Sequence, residues 1–458
     1  MGRLFGTDGV RGVANADLTP ELAFAIGRAG AAVVTRNVSF DRPIVVGRDT
    51  RVSGSMLEAA IVAGITSTGR DVVGIGVVPT PGVAAITTAL RAAAGVMISA
   101  SHNPVEDNGI KFFGADGFKL SDTVEDEIEA RLADPDLPRP THLRVGRAAL
   151  RPELVDTYFA TLIEAGADLH GLTIVVDAAF GAAYAVGPRA FEQLGAHVVA
   201  INAEDDGTRI NVQCGATHLE MLAQTVKREA LRRAGPVVGV AFDGDADRAL
   251  FVDESGAALS GDHTMLIIAR DLKRRDALIG ATVVGTVMSN VGLERALARE
   301  GITLARAPVG DRYVLEALRS GGLRFGGEQS GHIIDLVHNT TGDGPMTAVM
   351  LFSIVARSGT TLHALAADLT VYPQVLVNVR VERKAVLESS LRVRAAILDA
   401  ERQLGNAGRI LVRASGTEPL IRVMIEGSDN VFVAALADSV ARIIREEALA
   451  DGTAGVPE

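Results

Sequence analysis

Residues 236–250 read PVVGVAFDGDADRAL, and the reading of this stretch decides the fold. The first part, PVVGVAF (236–242), has the composition of a buried strand. Asp243, Asp245 and Asp247 then occupy every second position. Carboxylates so close together repel one another, and an unpaired buried charge is very costly. Arg248 alone cannot balance three of them. The strand therefore ends in a loop that must collect a cation.

The same design recurs on either side. AGVMISASHNP (94–104) and LRFGGEQSGH (323–332) are also apolar runs that end in an unusual polar loop. Each of the three is preceded by a β-branched run, a turn and a helix-like segment, in RPIVVGRDTRVSG (42–54), LTIVVDAAFGAA (172–183) and ATVVGTVMSNVGL (281–293). Strands alternating with helices predict three similar α/β domains with mixed, largely parallel sheets. In such sheets ligands bind at strand ends. After about residue 365 the pattern changes. YPQVLVNVRVE (372–382) alternates like a half-exposed strand, and the tail from Val431 has the periodicity of an amphipathic helix. A smaller C-terminal α+β domain is expected there, carrying RILVRASGTEPLIRVMIE (409–426) behind a hinge at 365–371. The Pro- and Arg-rich segment 134–153 reads as a linker. The expected domains are 1–145, 146–250, 251–366 and 367–458.

Composition narrows the function. A formal charge of −11 without a basic cluster argues against nucleic acid and anionic membranes, and 4% aromatics argue against base-stacking platforms. Cys214 is the single cysteine, which excludes an internal disulfide and a cysteine metal cage. The longest apolar run, MTAVMLFSIVA (346–356), is shorter than the roughly 18 residues of a membrane span. A soluble, cytoplasmic protein acting on a small molecule is expected.

Five loops could carry chemistry. Three carboxylates alone select a hard cation, Mg²⁺ before Ca²⁺. A calcium EF-hand would find Glu254 at its twelfth position, but Arg248 stands where that loop needs glycine. A solvated acidic turn is the plain alternative. In SASHNP (99–104) the Ser101 hydroxyl is a candidate nucleophile, although an Asn-Pro turn would explain the same letters. Lys111 follows in DNGIKFF. RASGTEPLIR (413–422) offers Arg413, Ser415, Gly416, Thr417 and Arg422, donors suited to a phosphate dianion, while a surface turn accounts equally for SGTEP. GGEQSGH (326–332) sets out Glu328, Ser330 and His332 for sugar hydroxyls. GTDGVRG (6–12) adds Thr7, Asp8 and Arg11.

Taken together, SASHNP, DGDADR, GEQSG and RASGTEP occur in the order found in the α-D-phosphohexomutases, which the sequence resembles over nearly its full length. LFGTDGVRG, SHNPxxDNGIKFF and GGEQSGH look like the bacterial phosphoglucosamine mutases within that family. The resemblance implies four domains around a central cleft, each giving one loop. It implies that a phosphorylated Ser101 and a Mg²⁺ ion bound by Ser101, Asp243, Asp245 and Asp247 interconvert glucosamine 6-phosphate and glucosamine 1-phosphate. Glucosamine 1,6-bisphosphate would be the intermediate, with glucose 1,6-bisphosphate an alternative activator. Glu328 and Ser330 would hold the sugar. The RASGTEP loop would hold the phosphate that is not reacting. Arg11, Lys111, Arg248 and His332 would handle protons and charge, with the general base left open among them. The resemblance leaves room for a homodimer and for a kinase that first phosphorylates Ser101. The competing readings are a phosphomannomutase/phosphoglucomutase and a Mg²⁺-dependent sugar-phosphate phosphatase.

Overall fold

The apolar runs become strands that build one topology three times. The computed structural model describes residues 3–6, 8–39, 41–415 and 419–453. A short β1 (Val10–Val13) leads into the first repeat, made of β2 (Ile44–Arg48), β3 (Val72–Val77), β4 (Ala94–Ile98) and β5 (Asp107–Gly114), with β6 (Ala148–Leu150) after it. The second repeat has β7 (Thr173–Asp177), β8 (His197–Ile201), β9 (Val237–Phe242), β10 (Ala249–Val252) and a short β11 (Ala258–Leu259). The third has β12 (Thr282–Thr286), β13 (Thr303–Ala307), β14 (Phe325–Gly327) and β15 (Ile333–Asp335).

The sheet orders are β1-β5-β4-β2-β3-β6, β11-β10-β9-β7-β8 and β13-β12-β14-β15. In each repeat the first strand lies between the second and third, parallel to both. The fourth returns antiparallel beside the third. The sheets are thus mixed, and their parallel strands β2, β4, β7 and β9 are buried almost throughout, as strands covered on both faces must be. The three polar loops are therefore the turns of antiparallel hairpins, β4–β5, β9–β10 and β14–β15, and not the simple strand ends of a parallel sheet.

That hairpin geometry moves two boundaries. The DGDADR loop has to be followed by a strand that pairs with β9, so the second sheet runs on through β10 and β11 to Leu259, past residue 250. β6 lies inside the segment read as a linker and pairs with β3. Three exposed residues at a sheet edge carry no burial pattern that a sequence could display.

The run read as too short for a membrane lies in the helix Gly344–Ser358, which is buried from Gly344 to Val355. Asp343 caps its start, accepting from the Met346 N–H at 2.9 Å and the Tyr158 hydroxyl at 2.7 Å. No helix among the described residues is long and apolar enough to cross a membrane.

By contact the chain forms two units. Met1–Met288 with Gly301–Asp368 holds the three repeats, and Ser289–Glu300 with Leu369–Glu458 forms the other. In the second unit β16 (Gln374–Arg380), β17 (Gly408–Ala414) and β18 (Leu420–Gly427) make an antiparallel sheet in the order β16-β18-β17. Helices Leu391–Leu404 and Asn430–Thr453 pack on it through a core that includes Val379, Val423, Ile425, Val433 and Ile444. This is the expected α+β domain. The segment 289–300 joins it through Asn290, whose side chain donates to the Tyr372 carbonyl at 2.9 Å, and through the Val291 N–H on Glu426.

Candidate active site

The β4–β5 hairpin presents Ser101 in a left-handed conformation, φ +52°, which costs a non-glycine residue about 1–3 kcal/mol. Arg51 holds it there. Its guanidinium is wholly buried, pairs with Asp49 at 3.0 Å, and donates to the carbonyls of Ser101 (3.0 Å), Asn103 (2.8 Å), Asp107 (2.9 Å) and Pro104. Ser99 completes the scaffold, donating to Asp49 at 2.6 Å and accepting from the Ser101 N–H at 2.9 Å. The Ser101 hydroxyl is aimed at the second repeat and donates to Asp243 Oδ2 at 2.7 Å. Close approach of the two loops requires Gly244, since a Cβ there would lie 2.5 Å from the Ser101 carbonyl oxygen.

Asp243, Asp245 and Asp247 converge as their spacing suggests. One carboxylate oxygen from each lies within 4.8 Å of the others, and all three residues are buried. Asp245 Oδ2 accepts from Lys111 at 2.9 Å and from the Thr80 hydroxyl at 2.6 Å. Burial alone would raise the Asp245 carboxyl, but the Lys111 ammonium and the Thr80 hydrogen bond together outweigh it and hold that group below its usual range. Burial and the neighbouring carboxylates push Asp243 well up, and Asp247 up with it. Thus Asp245 has a close cation in Lys111, while Asp247 has the longer approaches of Arg248 at 3.8 Å and Lys111 at 4.0 Å. Asp245 Oδ1 and Asp247 Oδ1 are buried without a hydrogen-bond partner. Orphaned oxygens on an under-neutralised, all-oxygen cluster fit a divalent cation such as Mg²⁺.

A cavity of about 540 Å³ opens against this cluster. The first repeat contributes Asp8, Arg11 and His102, the second Asp247 and Arg248, and the third Glu328, Ser330 and His332. Arg11 donates to Asn103 at 2.9 Å and pairs with Asp8. Lys111 bridges Asp8 and Asp245, 2.9 Å from each. Both ring nitrogens of His332 lack a hydrogen-bond partner, and Nε2 lies 3.7 Å from Asp247. His332 fits because residue 342 is glycine, where a Cβ would sit 2.2 Å from that nitrogen. Glu328 accepts from the Gly310 N–H at 3.1 Å. The structure thus gathers site residues expected from four of the five loops.

Arg413, Ser415 and Arg422 belong to the C-terminal unit. Arg413 faces Arg422 across the β17–β18 ladder. Burial and the Arg422 charge lower the Arg413 guanidinium. The Ser415 N–H donates to the Leu420 carbonyl at 2.8 Å. Gly416 and Thr417, like Thr7, lie outside the described residues.

Several site residues escaped the sequence reading. Asp49 and Arg51 had a visible signal, since GRDTR puts charges directly after a buried strand in the first repeat. His102 sits with Nδ1 3.2 Å from the Ser101 hydroxyl, and burial together with Arg248 and Arg11 lowers its ring to about 4. Lys119 reaches Asp8 at 2.6 Å and pairs with Asp311 of the third repeat. No spacing in the chain announces a contact between residues so far apart.

Four family models match in order along the chain. They are phosphoglucomutase/phosphomannomutase alpha/beta/alpha domain I at residues 2–139, domain II at 156–256, domain III at 260–372 and the C-terminal domain at 376–443. A phosphoglucosamine mutase of Symbiobacterium thermophilum is 54% identical over 98% of this chain and 100% of its own length. One from Rhodococcus jostii is 52% identical over 96% and 99%. Among solved structures, a phosphoglucomutase/phosphomannomutase family protein of Burkholderia thailandensis aligns with a TM-score of 0.83 at 25% identity, covering 97% of each chain. The Aspergillus fumigatus N-acetylphosphoglucosamine mutase complex with GlcNAc-6P and magnesium aligns at 0.64 and 18% identity, over 97% of this chain and 96% of that one, a likeness of fold. With the hairpin repeats, the serine loop and the aspartate cluster in place, the chain belongs to the phosphoglucomutase/phosphomannomutase family, in its phosphoglucosamine mutase branch.

Proposed function

We propose that the cavity interconverts glucosamine 6-phosphate and glucosamine 1-phosphate, with Ser101 carrying the phosphoryl group between the two positions. The observation that carries this reading is the Ser101 hydroxyl held 2.7 Å from Asp243, beside two buried carboxylate oxygens that lack hydrogen-bond partners. Phosphate on Ser101 adds close to two negative charges at a site already short of positive ones. A Mg²⁺ ion held by Asp243, Asp245, Asp247 and that phosphate would supply the neutralisation that phosphoryl transfer needs.

The chain's own groups do the rest. In one half-reaction the bond between Ser101 Oγ and phosphorus breaks, phosphorus bonds to sugar O1, the O1 proton passes to a group on the cavity wall, and the leaving Ser101 Oγ takes up a proton to become a hydroxyl. His332 is suited to take that proton, with neither ring nitrogen engaged in a hydrogen bond. Lys111 stays protonated: burial disfavours its charge, but Asp245 and Asp8 outweigh burial and raise it. It therefore serves as a fixed positive charge, as Arg248 does, and Arg11 steadies the serine loop through Asn103. The 1,6-bisphosphate then turns over, and its 6-phosphate returns to Ser101. Glu328 and Ser330 hold the sugar in both orientations. Arg413, Ser415 and Arg422, with Gly416 and Thr417, hold the phosphate that is not reacting. Like charges opposite one another in a sheet repel, and a phosphate dianion offsets that repulsion between Arg413 and Arg422.

Isomerisation and phosphate release should be assayed in parallel on glucosamine, glucose and mannose phosphates. Release of inorganic phosphate in place of isomerisation would make the protein a phosphatase and end this reading. Asp245→Asn should slow turnover by roughly 10²–10³-fold, and chelation with EDTA should stop the wild type until Mg²⁺ is restored. Full activity after chelation would reduce the aspartate cluster to a structural turn. Arg422→Ala should raise KM and let free glucosamine 1,6-bisphosphate accumulate during turnover, with partial rescue by added bisphosphate. An unchanged KM without leakage would move the phosphate site elsewhere.

A further inference from the structure

Glucosamine phosphate differs from glucose phosphate by one charge, the ammonium at C2, and a site that selects it needs a carboxylate to spare. Four carboxylates line the cavity: Asp8, Asp247, Asp311 and Glu328. Asp247 belongs to the metal cluster. Asp8 is saturated, with Arg11, Lys111 and Lys119 all paired to it. Asp311 differs. Its Oδ1 accepts from the Arg312 N–H at 2.8 Å, and its Oδ2 has the Lys119 ammonium, which Asp8 shares at 2.6 Å. A weaker approach comes from His332, 3.8 Å away. Glu328 forms no ion pair among the described residues, and its Oε1 accepts from the N–H of Gly310, the residue before Asp311. Asp311 and Glu328 therefore face the cavity as neighbours, and the one lysine paired with Asp311 is shared with Asp8.

We propose that Asp311, backed by Glu328, is the group that recognises the C2 ammonium of the sugar. The inference rests on the glucosamine phosphate reading above and adds to it the residue that sets the choice of sugar. Several features suit Asp311 to this task. It opens the helix Asp311–Ser320, so backbone geometry fixes its carboxylate. Lys119 and the Arg312 N–H orient both oxygens while each keeps a lone pair. Burial works against its charge, but Lys119 and His332 together outweigh burial and hold Asp311 below its usual range. A site built around a substrate's polar group discriminates strongly against analogues that lack it, because its own charge is then left unmatched.

The test compares kcat/KM of the full-length Mg²⁺-loaded enzyme, as wild type and Asp311→Asn, on glucosamine 6-phosphate, glucose 6-phosphate and N-acetylglucosamine 6-phosphate. Asparagine keeps the shape and removes the charge. The ratio of glucosamine to glucose activity should fall by about 10- to 100-fold, and Asp311→Glu should recover part of it. A loss equal on all three sugars would overturn the proposal, because Asp311 would then act only through Lys119. Wild-type enzyme supplies a second measurement that needs no variant. Its kcat/KM for glucosamine 6-phosphate should fall as pH rises through ionisation of the sugar amine, measured against glucose 6-phosphate as reference. Parallel pH profiles for the two sugars would also refute it. Failure of the wild type to isomerise glucosamine phosphate would instead strike the functional reading itself, whatever the variants do.

Discussion

Replacing Ser101 by alanine is expected to lower turnover by on the order of 10⁴-fold or more, the scale seen when a covalent nucleophile is removed. The change deletes one oxygen, and the scaffold beneath it is untouched, since Arg51 grips the carbonyl and Ser99 the N–H of residue 101. The lost hydrogen bond to Asp243 should alter stability by about 1 kcal/mol, readable as a small change in Tm. Mg²⁺ titration by calorimetry should still show a site, because the three aspartates remain. Intact-mass analysis of wild type incubated with glucose 1,6-bisphosphate should find one phosphate, and the variant none. An alanine variant that isomerises sugar phosphates at a tenth of the wild-type rate or better would remove Ser101 from the reaction.

Arg51→Met should be the most damaging change to a residue that lines no part of the cavity. Methionine fills a similar length without charge. Asp49 would then be buried without its cation, which costs about 3–5 kcal/mol. The carbonyls of Ser101, Asn103, Pro104 and Asp107 would lose their shared donor. Ser101 sits at a positive φ that only its surroundings enforce. The serine loop should therefore relax, and kcat should fall far more than KM rises, because the substrate contacts proposed above lie on other loops. Urea denaturation and steady-state kinetics on the same preparation test both halves. A variant with native stability, or one whose loss appears entirely in KM, would show that the clamp does not position the nucleophile.

Much of this protein could be read from local pattern. Buried parallel strands have to be nearly continuous apolar runs, so β4, β9 and their partners were visible as such, and with them the threefold repeat. Polar loops interrupting those runs named Ser101 and the three aspartates, since charge at the end of a buried strand demands a chemical reason. The even spacing of Asp243, Asp245 and Asp247 predicted that they converge, and the resemblance supplied the order of the four loops. The hairpins, the edge strand β6 and the attachment of 289–300 to the C-terminal unit were not legible. Each depends on which strand or helix a segment meets, and pairing partners leave no mark in the segment's own letters.

The sequence by itself determined which residues could react, because nucleophile, ligand and charge are properties of side-chain type and spacing. Only the tertiary structure decided how those residues are held and which charges remain unmatched. Arg51 reaches carbonyls 50 to 56 positions away, and Lys119 joins Asp8, 111 positions before it, to Asp311, 192 positions after it. Electrostatic energy falls with distance in space and not along the chain. The sum of charges around Asp243, Asp247 and Asp311 therefore exists only once three repeats have folded against one another.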